Sequence, residues 1–136
     1  MTPRNLPKRQ GWMIRGERAV TTGGTYRTAS RHLLTQARAE LSQGDVRQAS
    51  EKGWGAAAQM VKAIAEQRGW EHRGHRQIHQ AVVRLAEETG NEDIRRFFQV
   101  ASSLHANFYE DWETDVAVGG GLSDIARLLD LLEPLA

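Results

Sequence analysis

The stretch Gly44–Ala63, GDVRQASEKGWGAAAQMVKA, decides the fold of this 136-residue chain. Gly44 suits the left-handed residue that closes a preceding helix. Asp45 can cap the next helix, and Gln48 three residues on is placed to complete a capping box. Val46, Ala49, Gly53, Ala56, Met60 and Ile64 recur at intervals of three and four, which is one stripe of a helix. Trp54, Ala58, Val61 and Ala65 form a second stripe, and Glu51, Gln59, Lys62 and Glu66 take the remaining face. A helix apolar on two sides sits at the centre of a bundle. Gly53 and Gly55 each cost a helix roughly 1 kcal/mol against alanine. Close approach of a neighbouring helix, or of a ligand, is the reason to keep them.

Working outward, the chain reads as an arm and five helices. Residues 1–26 hold two of the three prolines and the run Thr21-Thr22-Gly23-Gly24-Thr25, so an extended or disordered arm is expected there. Residues 27–136 form the expected domain. Its helices are placed over about Thr28–Gln43, Asp45–Arg68, His75–Thr89, Asn91 onward, and Leu122–Leu132. The fourth carries the stripe Ile94, Phe97, Phe98, Ala101, Leu104, Phe108, Trp112, with the two aromatics at its end read as core. Gly119, Gly120 and Gly121 are read as a flexible hinge before the fifth. No segment alternates with period two for long enough to make a strand. The expected fold class is an all-α, antiparallel up-and-down bundle of about five helices, because short connections make consecutive helices antiparallel neighbours.

Three blocks carry a family resemblance: GDVRQASEKGWGAAAQMVKAIAEQRG (44–69), RGHRQIHQAVVRLAEETG (73–90) and LHANFYEDW (104–112). Over roughly residues 28–134 the chain resembles the archaeal and bacterial PaREP-type proteins, which are similar to the HEPN superfamily of small helical bundles. The resemblance implies a HEPN-like bundle, a homodimer, and an association with nucleotides or RNA, as an RNase or as the partner of a nucleotidyltransferase. HEPN ribonucleases carry an Arg and a His separated by four to six residues. Arg73 and His79 have that spacing and would be the catalytic pair, the Arg on the scissile phosphate and the His moving the ribose hydroxyl proton without a metal. Arg27 with His32 and Arg68 with His75 share the spacing.

The remaining candidates come from side-chain chemistry. His75, Arg76, His105, Tyr109, Lys52 and Lys62 are the candidate ligand-binding residues. The cations suit phosphate, and the imidazoles titrate near neutral pH. His72, His75 and His79 have the metal-like spacing H-x2-H-x3-H, but Arg73 and Arg76 lie between them and would repel a cation, so no metal is expected. No P-loop, dinucleotide-binding glycine pattern, zinc finger or nucleophile elbow is present, and no cofactor is expected.

Charge is divided unevenly. Residues 1–31 carry seven Arg or Lys and one Glu, residues 32–109 ten basic and nine acidic, and residues 110–136 one Arg and seven acids. The balance is +6, +1 and −6 within a net charge of +1. Such ends attract each other within a chain or between two copies, or the basic end meets an acidic partner. The chain has no cysteine, which fits a reducing cytoplasm, and no apolar run long enough for a membrane. Two function classes follow: a protein that binds a phosphate-containing ligand, as enzyme or as partner, and a non-enzymatic homodimeric interaction or scaffold module.

Overall fold

The computed structural model describes residues 15–136, with side chains from Gly24 onward. Five helices follow one another: α1 (Arg15–Ser42), α2 (Val46–Arg68), α3 (His75–Thr89), α4 (Glu92–Glu110) and α5 (Asp115–Leu132), closed by a 3-10 turn over Glu133–Leu135. Among the described residues there is no strand. The all-α bundle read from the sequence is the fold. Helix α2 is its axis and touches each of the other four. Both of its apolar stripes are used: Ala49, Gly53, Ala56, Met60 and Ile64 are buried, and so are Trp54, Ala58, Val61 and Ala65.

Local signals set the helix ends. The Asp45 carboxylate accepts the Gln48 N–H at 3.2 Å. The return half of the expected capping box is replaced, because the Asp45 N–H donates to the Glu40 carbonyl at 2.9 Å. Gly44, Gly69 and Gly90 take positive φ and end their helices in the left-handed conformation. Asn91 caps α4 by accepting the Asp93 N–H, and Thr114 caps α5 by accepting that of Ala117.

Three expectations are corrected. Helix α1 begins at Arg15, so residues 15–26 of the expected arm are helical, Gly23 and Gly24 included; residues 1–14 lie outside the described residues. Once Thr25–Ser42 has nucleated a helix, each residue added gains a hydrogen bond, which offsets the roughly 1 kcal/mol that a glycine costs. Gly119, Gly120 and Gly121 are likewise helical rather than a hinge. A Cβ on Gly121 would lie 3.1 Å from Leu104 Cδ2, and one on Gly119 would lie 3.4 Å from Leu41 Cδ2. These glycines let α5 settle against α4 and α1. Helix α4 stops at Glu110, and Trp112 is 68% exposed rather than core.

The cause of that stop is a buried amide. Asn107 is fully buried, and its Oδ1 accepts the N–H groups of Trp112 and Glu113 at 2.9 and 2.7 Å. Its Nδ2 donates to Ser50 Oγ on α2 at 2.7 Å. The chain leaves the helix through Asp111 at φ 55°, which turns Trp112 outward. Phe108 is half-buried beneath the Arg47 guanidinium, whose carbon lies 5.2 Å from the ring centre.

Close approach at Gly53 sets the tightness of the centre. A Cβ there would lie 2.6 Å from Leu122 Cδ2 and 2.9 Å from Leu104 Cδ1. Gly120 meets nothing within 4 Å. Gly53→Ala is expected to lower stability by about 1–2 kcal/mol, strain exceeding the gain in helix propensity. Gly120→Ala is expected to raise it by about 0.5–1 kcal/mol. Urea unfolding midpoints of the two variants check both signs, and a loss at Gly120 would return residues 119–121 to the role of a hinge.

Candidate functional site

Trp54 organises the polar side of the bundle. It is 7% exposed on α2, and three imidazoles from two other helices gather around its ring. His105 of α4 stacks on it with ring centres 4.9 Å apart, and His75 of α3 meets it edge-on at 5.1 Å. His79 lies 6.4 Å away in a roughly parallel plane. His75 and His105 are edge-to-face at 5.0 Å, and Tyr109 stands edge-on to His105 at 5.4 Å. The helical period explains the grouping. His75 and His79 are four apart on α3, and His105 and Tyr109 four apart on α4, so each pair lines one side of its helix.

Electrostatics differ around this cluster. Glu51 Oε1 lies 2.8 Å from His105 Nδ1, so a carboxylate from α2 fixes that ring's orientation. His79 has no carboxylate partner among the described residues; it packs edge-on to Phe98 at 5.0 Å, with Ser102 Oγ 3.5 Å from its Nε2. Burial first, and the neighbouring His75 second, push the His79 imidazole below its ordinary value.

A cavity of about 350 Å³ opens beside Trp54, between α1, α2 and the start of α3. Its walls include Leu33, Glu51, Lys52, Lys62, Arg73 and His75. Gly55 contributes to the opening: a Cβ there would come within 3.2 Å of Leu33 Cδ1 and narrow it. Lys52 is held by an ion pair with Glu40. Lys62 has no carboxylate partner among the described residues, and Arg73 only approaches Glu71, at 3.6 Å. The cavity thus presents two loosely held cations and one neutralised one. Gln77 braces the entrance to α3, its Oε1 accepting the N–H of Arg73 at 2.8 Å.

The structure brings Lys52, Lys62, Arg73 and His75 onto one cavity, and His75, His79 and His105 around one indole, with Tyr109 exposed and edge-on to His105. His79 and Arg76 line a separate groove with Gln80, Val83 and Arg84. The imidazole that shares a wall with Arg73 is His75. His72 stands apart from the cluster, 2.8 Å from Glu66 and edge-on to Tyr26. Among the described residues no three His, Cys, Asp or Glu side chains form a group that could hold a metal. Sequence reasoning missed Trp54 and the Glu51–His105 pair as parts of the site. A tryptophan on an apolar stripe reads as core, and the Glu51–His105 contact spans 54 positions.

The model of the Archaeal PaREP1/PaREP8 family matches residues 25–119, a span that contains every side chain of this site. The chain belongs to that family. A crystal structure of a protein from Sulfolobus solfataricus has a similar fold, with a TM-score of 0.71, 21% identity, and coverage of 79% of this chain and 95% of that one. That likeness shows the shared fold. No curated protein matches the chain. No helix among the described residues is long and apolar enough to cross a membrane.

The lowered His79 value has a sign that can be worked out. The unfolded chain takes up the proton first, so the stability from this group is present above about pH 6.5 and lost as pH falls through the lower folded value. His79 is expected to titrate below the ordinary histidine value in histidine-resolved NMR, and to move upward in His75→Ala. Urea midpoints at pH 7.5 and 5.5 are expected to differ less in His79→Gln than in the wild type.

Proposed function

We propose that this chain is a HEPN-like ligand-binding protein whose cavity between α1, α2 and α3 takes a phosphate-bearing molecule of nucleotide size. The observation that supports this is the convergence of Lys62 from α2 with Arg73 and His75 from the start of α3 on one opening. Lys62, without a carboxylate partner among the described residues, and Arg73, whose only ion pair is an exposed one with Glu71 at 3.6 Å, suit a phosphate, which accepts charge-assisted hydrogen bonds from both. A cavity of about 350 Å³ suits one nucleotide or the end of a single strand better than a duplex.

If the bound molecule is also cut, Arg73 and His75 form the pair at hand. Arg73 would hold the phosphate and His75 would move a proton, with the Glu51–His105 pair behind it. The resemblance suggests His79 as the partner of Arg73 instead; His79 meets the same indole as His75, at 6.4 Å. The second reading is the interaction module, in which the imidazoles serve packing. The burial of Trp54 and the closed Glu51–His105 contact favour it. A role beside a nucleotidyltransferase rests on the resemblance.

Calorimetric titration with AMP, ATP and a short single-stranded RNA tests the first reading. Wild type is expected to bind at least one of them. Lys62→Ala/Arg73→Ala is expected to weaken that binding roughly tenfold or more while its circular dichroism stays unchanged, each charged hydrogen bond being worth about 1.5–3 kcal/mol before solvent screening. Absence of binding by wild type at millimolar ligand would hand the cavity to the interaction-module reading.

A further inference from the structure

The corner between α4 and α5 exposes what a water-soluble bundle ordinarily hides. Tyr109 is 66% exposed, Trp112 68% and Val116 81%, all within eight residues. Between and beside them stand Glu110, Asp111, Glu113 and Asp115, with no basic residue in the run. None of these carboxylates has an ion-pair partner among the described residues. Residues 1–14 have the complementary composition: Arg4, Lys8 and Arg9 with no acid, then the apolar run Trp12, Met13 and Ile14. Cationic side chains are attracted both to such carboxylates and to the faces of Tyr and Trp rings.

Topology decides whose segment can reach. Helix α1 runs antiparallel to α5: Leu41 faces Gly119, while Arg31 bonds Asp130 and Glu133. The corner therefore lies beside the C-terminal end of α1, near Ser42. Arg15 lies at the other end, about 40 Å away at 1.5 Å per helical residue. Residues 8–14, fully extended, span at most about 25 Å. Lys8, Arg9 and Trp12 of a chain cannot reach that chain's own corner. Those of a second copy can.

We propose that the α4–α5 corner docks the N-terminal segment of a second copy of this chain, in a two-fold homodimer that exchanges the two segments. Each protomer gives one basic, apolar segment and one acidic, aromatic corner, so a single rotation satisfies both contacts and closes the assembly. The contact uses no residue that lines the ligand cavity beside Trp54 and meets the imidazole cluster only at Tyr109.

The chain lacks cysteine, so single cysteines report the contact directly. An equimolar mixture of Lys8→Cys and Val116→Cys chains, oxidised mildly, is expected to give a disulfide-linked pair of twice the monomer mass. A Gln80→Cys control in place of Val116→Cys is expected to give little. Sedimentation of the full chain at tens of micromolar is expected to show a dimer that weakens in 1 M salt, and Trp112→Ser/Val116→Ser is expected to raise its dissociation constant at least tenfold. Combining Lys8→Glu/Arg9→Glu chains with Glu110→Lys/Glu113→Lys chains is expected to restore a mixed dimer that neither forms alone. A monomer at that concentration would overturn the proposal. So would equal cross-linking at Gln80, or an intrachain Lys8–Val116 disulfide in the double-cysteine monomer.

Discussion

Everything in this bundle depends on how little side chain α2 carries at Gly53. At that point Leu104 of α4 and Leu122 of α5 both press toward its backbone, nearer than a methyl group would allow. The flanking alanines, Ala49, Ala56 and Ala57, keep the same face shallow and are fully buried. A shallow face trades side-chain volume for backbone approach, so dispersion contacts are made with Leu, Ile and Phe from the surrounding helices. Gly121 does the same for α5 against Leu104. The central helix is thereby closed in on several sides at once, and its own polar residues are left a narrow face.

That narrow face is where the candidate site lies. Glu51, Lys52, Lys62 and Gln59 have no other direction available once the stripes are buried. Trp54 is wide enough to span from the core to this face, and it sets the distance at which α3 and α4 deliver their imidazoles. The buried Ser50–Asn107 bond performs a related service one turn earlier. It ties α4 to α2 and holds the chain reversal at Asp111–Glu113, which turns the aromatic and acidic corner outward. Buried polar groups that are fully paired in this way specify one arrangement, since any other leaves them without partners.

The division of charge between two surfaces has consequences for any partner. The cationic wall of the cavity belongs to α2 and the start of α3, whereas the carboxylates of Glu110, Asp111, Glu113 and Asp115, without ion-pair partners among the described residues, belong to the α4–α5 corner. An anionic ligand and a cationic peptide segment therefore meet different surfaces of one small protein, and binding of one need not displace the other.

Sequence alone determined the number and order of the helices, most of their ends, and the identity of the central one. Their stripes, caps and terminal glycines are local, set by spacings of three and four and by single residues such as Asp45, Asn91 and Gly90. The Lys and Arg candidates were legible as charge, and His75 and His79 as neighbours on one helix. Tertiary structure alone decided what depends on contacts distant in the chain. Gly23–Gly24 and Gly119–Gly121 read as breaks because a glycine's cost is local, while helix extension and, for Gly119 and Gly121, the leucines that fit against them offset it. Trp112 read as core because the stripe continued through it, while the amide of Asn107 ended the helix first. Arg73 and His79 read as a pair because their spacing allowed it. The loop before α3 set Arg73 on the cavity beside His75, while His79, one turn on, also lines the groove with Arg76, and the setting of α3 is fixed by Ile78, Val82 and Leu85 entering the core.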